Sequence, residues 1–283
     1  MSLAITLAFI ALLVGGVADF LYRIAQDKGI SSGIFLFWQS IIFSAILWIY
    51  AFITGEVAKL DLFTHMVGLP AGAMGFAALT LFIISVKTGD ISVNAPIFRL
   101  NFVITSAGAM ILLGEPVLPL RVLGVVLALL SVFFFAELTS LKVIKNPSRS
   151  LVLVSAASII FGFVGILIKY GLENDIDPIP LLLSQTIAFQ IAATINVIVQ
   201  KSWRPNRATI LYSPLVAILQ LIWASLTLFA LNIADASVIY PIIQLSFIVT
   251  AILGFILLKE KLNRSKLIGI IFAITTVGVL SIA

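Results

Sequence analysis

The chain has 283 residues, 61% of them hydrophobic and only 10% charged, with a mean hydropathy of +1.22. A soluble domain is nearer half apolar and a quarter charged, because its surface has to be wetted, so this composition excludes a soluble fold and calls for lipid. The net charge is +5 and cysteine is absent, which excludes disulfides, thiolate nucleophiles and cysteine-ligated metals.

The opening MSLAITLAFIALLVGGVADFLYRIA is apolar from the start, lacks a basic leader, and runs longer than a signal-peptide core. It reads as a retained first membrane span. A spanning helix needs about 20 apolar residues at 1.5 Å rise. On that measure the chain divides into ten spans, near 3–24, 32–53, 66–86, 90–113, 119–138, 150–171, 179–200, 209–231, 236–258 and 265–282. The predicted fold class is an all-α polytopic membrane protein with short connections and no soluble domain.

Charge orients the spans. The odd-numbered connections hold thirteen lysines and arginines, and the even-numbered ones hold three, Lys59, Arg121 and Lys169. By the positive-inside rule the odd connections are cytoplasmic and both termini lie outside. The expected setting is the inner membrane of a prokaryote, multi-pass.

The chain repeats itself. GDISVNAPIFRLNFVITSAGAMILLGEPV (89–117) aligns without gaps on ADASVIYPIIQLSFIVTAILGFILLKEKL (234–262), and residues 90–128 share 14 of 39 positions with 235–273. The matches include Asp90/Asp235, Ser92/Ser237, Pro96/Pro241, Thr105/Thr250, Glu115/Glu260 and Gly124/Gly269. Earlier in each half the offset grows by one and pairs Gly16/Gly162, Arg23/Lys169 and Gln39/Gln185. Two five-span units result, 1–140 and 148–283. Five is odd, so the second unit is expected upside down relative to the first, an arrangement that marks secondary transporters.

The duplicated pattern of a proline, an apolar helix, LLGEPV or LLKEKL, and a glycine nine residues after the glutamate resembles the EamA family of the drug/metabolite transporter superfamily. The resemblance covers nearly the whole chain. It implies two inverted five-helix repeats around a central cavity, with the fifth and tenth spans peripheral. It also implies movement of small metabolites, often export. The family often carries arginine in the second and seventh helices; Gln39 and Gln185 stand there here, so a role tied to that charge does not transfer.

Within the spans one charge stands out. Arg99, in APIFRLNFV, lies about 13 Å into the fourth span and Asp19 about 10 Å into the first, measured from the same face. A charge at that depth faces a cavity or a partner. The repeat mates are Gln244 and Gly165, so both charges are missing together from the second half. Two readings stand: a substrate site, in which the guanidinium takes an anionic group and Asp19 competes for it or carries a coupling proton, or an ion pair that fixes helices. Arg23, one turn from Asp19, is a rival partner.

Gln39, Gln185, Tyr240 and Gln244 are further candidates to line the site, with Asn94 and Asn101 ranked lower. Pro96 and Pro241 are candidate hinges. Arg23 and Lys169 are candidate gates or lysine-type side chains that snorkel to the interface. Glu115 and Glu260 read as caps on the positive ends of the helices that directly follow them. GLPAG (68–72) reads as close helix packing. Trp38 and Trp223 read as interface anchors or cavity wall, and His65 as a loop residue.

No GxxxxGK[ST] loop, HExxH or metal-ligand cluster is present, so no cofactor is expected, and the basic loops are topology signals rather than nucleic-acid surfaces. The expected partners are the bilayer and a small solute, with anionic chemistry and proton coupling as open points. The function expected is a secondary transporter and not an enzyme. The alternatives are a lipid scramblase or channel and, further off, an intramembrane lipid-modifying enzyme.

Overall fold

In the computed structural model, residues 2–88, 91–135, 149–201, 203–259 and 263–283 are described, and they contain helices and no strand. The helices are α1 (Leu3–Asp27), α2 (Ser32–Thr54), α3 (Leu62–Thr88), α4 (Ile91–Arg99), α5 (Asn101–Leu112), α6 (Pro119–Phe135), α7 (Arg149–Glu173), α8 (Pro178–Val199), α9 (Arg207–Ile233), α10 (Ala236–Gln244), α11 (Phe247–Leu258) and α12 (Arg264–Leu280). Small polar residues start them: Ser2, Asp61, Asn206 and Asn263 each accept a first-turn amide, satisfying donors that the helix itself cannot.

Among the described residues, eight stretches are long and apolar enough to cross a membrane, counting 94–112 and 236–258 as one each. α6 and α12, 17 residues apiece, are shorter and pack on one another. Leu3, Ile49, Phe52, Ile111, Val199 and Ile274 lie exposed on the outside, the apolar belt that a bilayer covers.

The fourth and ninth predicted spans are each broken. α4 ends at Arg99 and α10 at Gln244, each three residues beyond its candidate hinge, Pro96 or Pro241. At the break the Leu100 and Val103 amides bond three residues back, to Ile97 and Leu100, and Leu245 and Ile248 do the same to Ile242 and Leu245. This is a local 3₁₀ tightening. Each proline is the sixth residue of its helix, past the first turn, so it forfeits one i→i−4 bond, and the helix runs three residues further before the tightened turn.

Packing between the halves is reciprocal. α1 lies on α9 as α3 lies on α7; α3 meets α8 as α9 meets α2; α1 meets α11 as α7 meets α5; α2 meets α8, its own mate. The duplicated residues make duplicated bonds. Thr250 donates to the Gly16 carbonyl at 2.9 Å, and Thr105 donates to the Gly162 carbonyl at 3.0 Å. GLPAG does what close packing requires. A Cβ on Gly72 would stand 2.1 Å from the Gln185 carbonyl, and one on Gly68 would stand 2.5 Å from Ser184, so α3 and α8 approach backbone to backbone.

Candidate functional site

Arg99 ends α4 at the tightened turn, and its guanidinium reaches two helices. Nη2 pairs with the Asp19 carboxylate of α1. Nη1 donates to Gln244 Oε1 at the end of α10, at 3.0 Å. Ser246 Oγ stands 3.5 Å from the same Asp19 oxygen, the outer limit of a hydrogen bond. The Arg99 and Asp19 side chains keep 19% and 30% of their surface exposed, so the pair is partly open rather than sealed in a core.

Arg99 and Gln244 are repeat mates, 145 positions apart. The two mates touch each other, so the contact joins equivalent positions of the two halves. The asymmetry at Asp19 has a physical reason as well. A Cβ on its mate Gly165 would fall 2.5 Å from Thr105 Oγ1 and 2.9 Å from the Tyr240 ring. Buried Tyr240 therefore takes the space that an acid would need in the second half. Tyr240 fills the wall beside the polar centre rather than joining its hydrogen bonds.

The other candidates are dispersed. Gln39 and Gln185 are half-buried on α2 and α8; Gln185 Nε2 donates to Leu181 of its own helix, and among the described residues no hydrogen bond links either glutamine to Arg99 or Asp19. Asn94 is buried and donates to the Ser85 carbonyl and to Ser150 Oγ, a tie among α3, α4 and α7. Asn101 donates to the Phe98 carbonyl, and its Oδ1 has no partner among the described residues. Trp223 packs against Gly15 of α1. Arg23 is half-buried on α1.

Three readings are corrected by the structure. Lys169 does not snorkel. It is 5% exposed, and its Nζ donates to the Leu231 and Ala234 carbonyls at 3.0 Å each, neutralising the negative end of α9. Glu115 does not cap α6. Its two oxygens accept the Ala236 and Ser237 amides of α10 at 2.6 and 2.9 Å. α6 begins with Pro119, which has no N–H to offer, whereas the start of α10 offers two. His65 lies in α3, not in a loop, with Nδ1 3.0 Å from Ser184 Oγ. Asp90 and Glu260 lie outside the described residues.

Sequence reasoning missed Ser246 and the pairing of Arg121 with Asp235. Neither carries a local signal, since both partners come from distant parts of the chain. A recess of about 370 Å³ lined by Lys28, Asn206, Arg207 and Tyr212 lies at the Lys28 end of α1, well away from Arg99.

Fold and site together define a polytopic helical membrane protein whose halves repeat and whose charged centre joins one half to the other. The chain belongs to the EamA-like transporter family, whose model matches residues 2–136 and again 148–282. It is thus a member of a family of drug and metabolite transporters. Among 29 matching chains of solved structures, one crystal structure superposes with a TM-score of 0.79 at 12% identity, over 99% of this chain and 97% of the other. At that identity the likeness is one of fold. No curated protein matches the sequence.

Proposed function

We propose that the protein is a secondary transporter that moves a small polar or amphipathic metabolite by alternating access, with export the favoured direction. In this reading ten spans form two inverted five-helix units, 1–140 and 148–283, in the inner membrane of a prokaryote with both termini outside. The observation that carries it is the Asp19–Arg99–Gln244 contact between the two halves. In inverted-repeat transporters the solute sits at the interface of the halves near the bilayer midplane, and an ionised side chain there is costly unless it has work to do.

Arg99 presents five N–H donors, and a carboxylate or phosphate on the solute matches its planar fork. Asp19 holds the guanidinium when solute is absent and yields it, or takes a positive group of the solute, when solute arrives. Gln244 sets the angle of the fork and gives it up as solute arrives. Tyr240, Gln39 and Gln185 supply wall and amide contacts further out. Pro96 and Pro241, with the tightened turns beyond them, let the α4–α5 and α10–α11 spans bend. Arg23 and Lys169 act at the span ends.

The test is counterflow in proteoliposomes loaded with one member of a panel of amino acids, organic acids, sugars and cationic drugs. A saturable, exchange-stimulated uptake that Arg99→Gln abolishes is the expected result. Flux that is linear in concentration points to a channel, and lipid exchange without solute movement points to a scramblase; either result rejects the reading.

A further inference from the structure

A second set of charges, away from Arg99, converges on one joint of the chain. The joint is the turn between α9 and α10, residues 231–237. From the first half, Glu115 accepts the Ala236 and Ser237 amides, and Arg121 pairs with Asp235. From the second half's own α7, Lys169 donates to the Leu231 and Ala234 carbonyls, with Glu173 3.5 Å behind it. An anion thus sits on the positive end of α10 and a cation on the negative end of α9, each the favourable sign. Glu115 is 5% exposed, which makes its bonds to the amides charge-assisted and poorly screened.

α10 connects this joint to the polar centre. All nine of its residues are buried. Its first two amides are held by Glu115 and its last residue, Gln244, is held by Arg99. The ends are about 12 Å apart. It is bounded by the turn at 234–235 and by the tightened bonds at 245–246. A short buried helix held at both ends passes a movement at one end to the other. The charges also belong to the repeat: Glu115, Arg121 and Asp235 have sequence mates in Glu260, Lys266 and Asp90.

We propose that Glu115 and Arg121 form a latch on the start of α10 that closes one end of the molecule and must release for solute to pass, with Lys169 positioning the joint. The proposal rests on the transport reading. Solute that takes Arg99 from Gln244 frees the far end of α10 and weakens the hold at the near end. The coupling is reciprocal, so opening the latch changes affinity at Arg99.

The chain lacks cysteine, so one reporter suffices. Ser106 lies on α5, between Arg99 and Glu115 in sequence, and its buried hydroxyl has no partner among the described residues, which makes Ser106→Cys a mild change. Labelling by a membrane-impermeant maleimide is expected to be slow with the latch intact and at least about tenfold faster in Glu115→Gln or Arg121→Gln, the ratio that a tenfold shift in the open population gives. The exchange of charges, Arg121→Asp with Asp235→Arg, is expected to restore slow labelling. Unchanged labelling in variants whose melting temperature falls identifies a static clamp and overturns the proposal. If the variants do not fold, hydrogen exchange of residues 234–240 in the unmodified protein decides. Opening well below the free energy of global unfolding supports the latch, and exchange only through global unfolding overturns it. Neither readout needs solute, so a latch that opens in a protein inactive in counterflow rejects the transport reading and leaves the latch.

Discussion

Asp19 and Arg99 are each expensive alone in a bilayer, about 2.5–3.5 kcal/mol at a helix centre on insertion scales, and far less so as a pair. Removing one partner strands the other. Asp19→Asn is expected to destabilise by up to about 3–5 kcal/mol. Arg99→Gln with Asp19→Gly, which gives the first half the residues of the second, is expected to cost less than the sum of the single changes by more than about 1 kcal/mol. Unfolding measurements on the four proteins check this, and additivity within about 0.5 kcal/mol would contradict the pair. The pairing was legible in the sequence because depth along two helices can be counted from their ends. That Gln244 completes it was not. No pattern in one chain reveals that a residue and its repeat mate face each other.

Asp61 gives a pH signature at the same scale. Its carboxylate accepts the Thr64 hydroxyl at 2.6 Å and the Thr64 amide at 2.7 Å, and the hydroxyl bond first, then the amide bond, hold it below the usual carboxylate range. A depressed carboxyl stabilises the folded state above its unfolded pKa, and that contribution is lost as pH falls through the folded one. Asp61→Ala is therefore expected to lower the melting temperature at neutral pH and to make no difference in strong acid. A deficit that persists unchanged at low pH would refute the cap.

At the scale of elements, the interface of α3 with α8 depends on the absence of side chains. Gly72→Ala places a methyl 2.1 Å from the Gln185 carbonyl and is expected to separate the helices and destabilise by about 1–3 kcal/mol. Gly75, one turn on, has nothing within 4 Å of the added atom. There Gly75→Ala is expected to be neutral or to stabilise by up to about 1 kcal/mol through helix propensity. Equal losses at both sites would show that the close approach is not what holds α3 to α8. GLPAG announced this contact, because two small residues four apart share a helix face. The broken helices were less legible. The prolines pointed to α4 and α10, yet the tightened turns at Leu100 and at 245–246 use ordinary residues and leave no mark in composition. Glu115 was misread for a related reason. A cap is looked for nearby in sequence, and the donors that it satisfies lie 121 positions away.

For the whole molecule, the thirteen-to-three loop asymmetry is a statement about which end faces the cytoplasm, and the reciprocal contacts between halves are a statement about symmetry. Together they support the proposed inversion. In the proposed orientation the latch lies on the outer end, opposite the basic connections. The sequence made the repeat and its membrane setting plain, because both are carried by many residues at once. It left the latch hidden, because that depends on three side chains and a turn that meet only after folding.

The most direct measurement for the central account is ligand-induced stabilisation of the purified protein in detergent, wild type beside Arg99→Gln. A solute at 100 times its Kd stabilises by about 2.7 kcal/mol. The account predicts a solute that raises the melting temperature of the wild type and not of Arg99→Gln, while the variant without solute folds and melts on its own. If every solute effect persists in Arg99→Gln in proportion to its lowered stability, the charged centre is a strut between α1 and α4, and the solute is bound elsewhere.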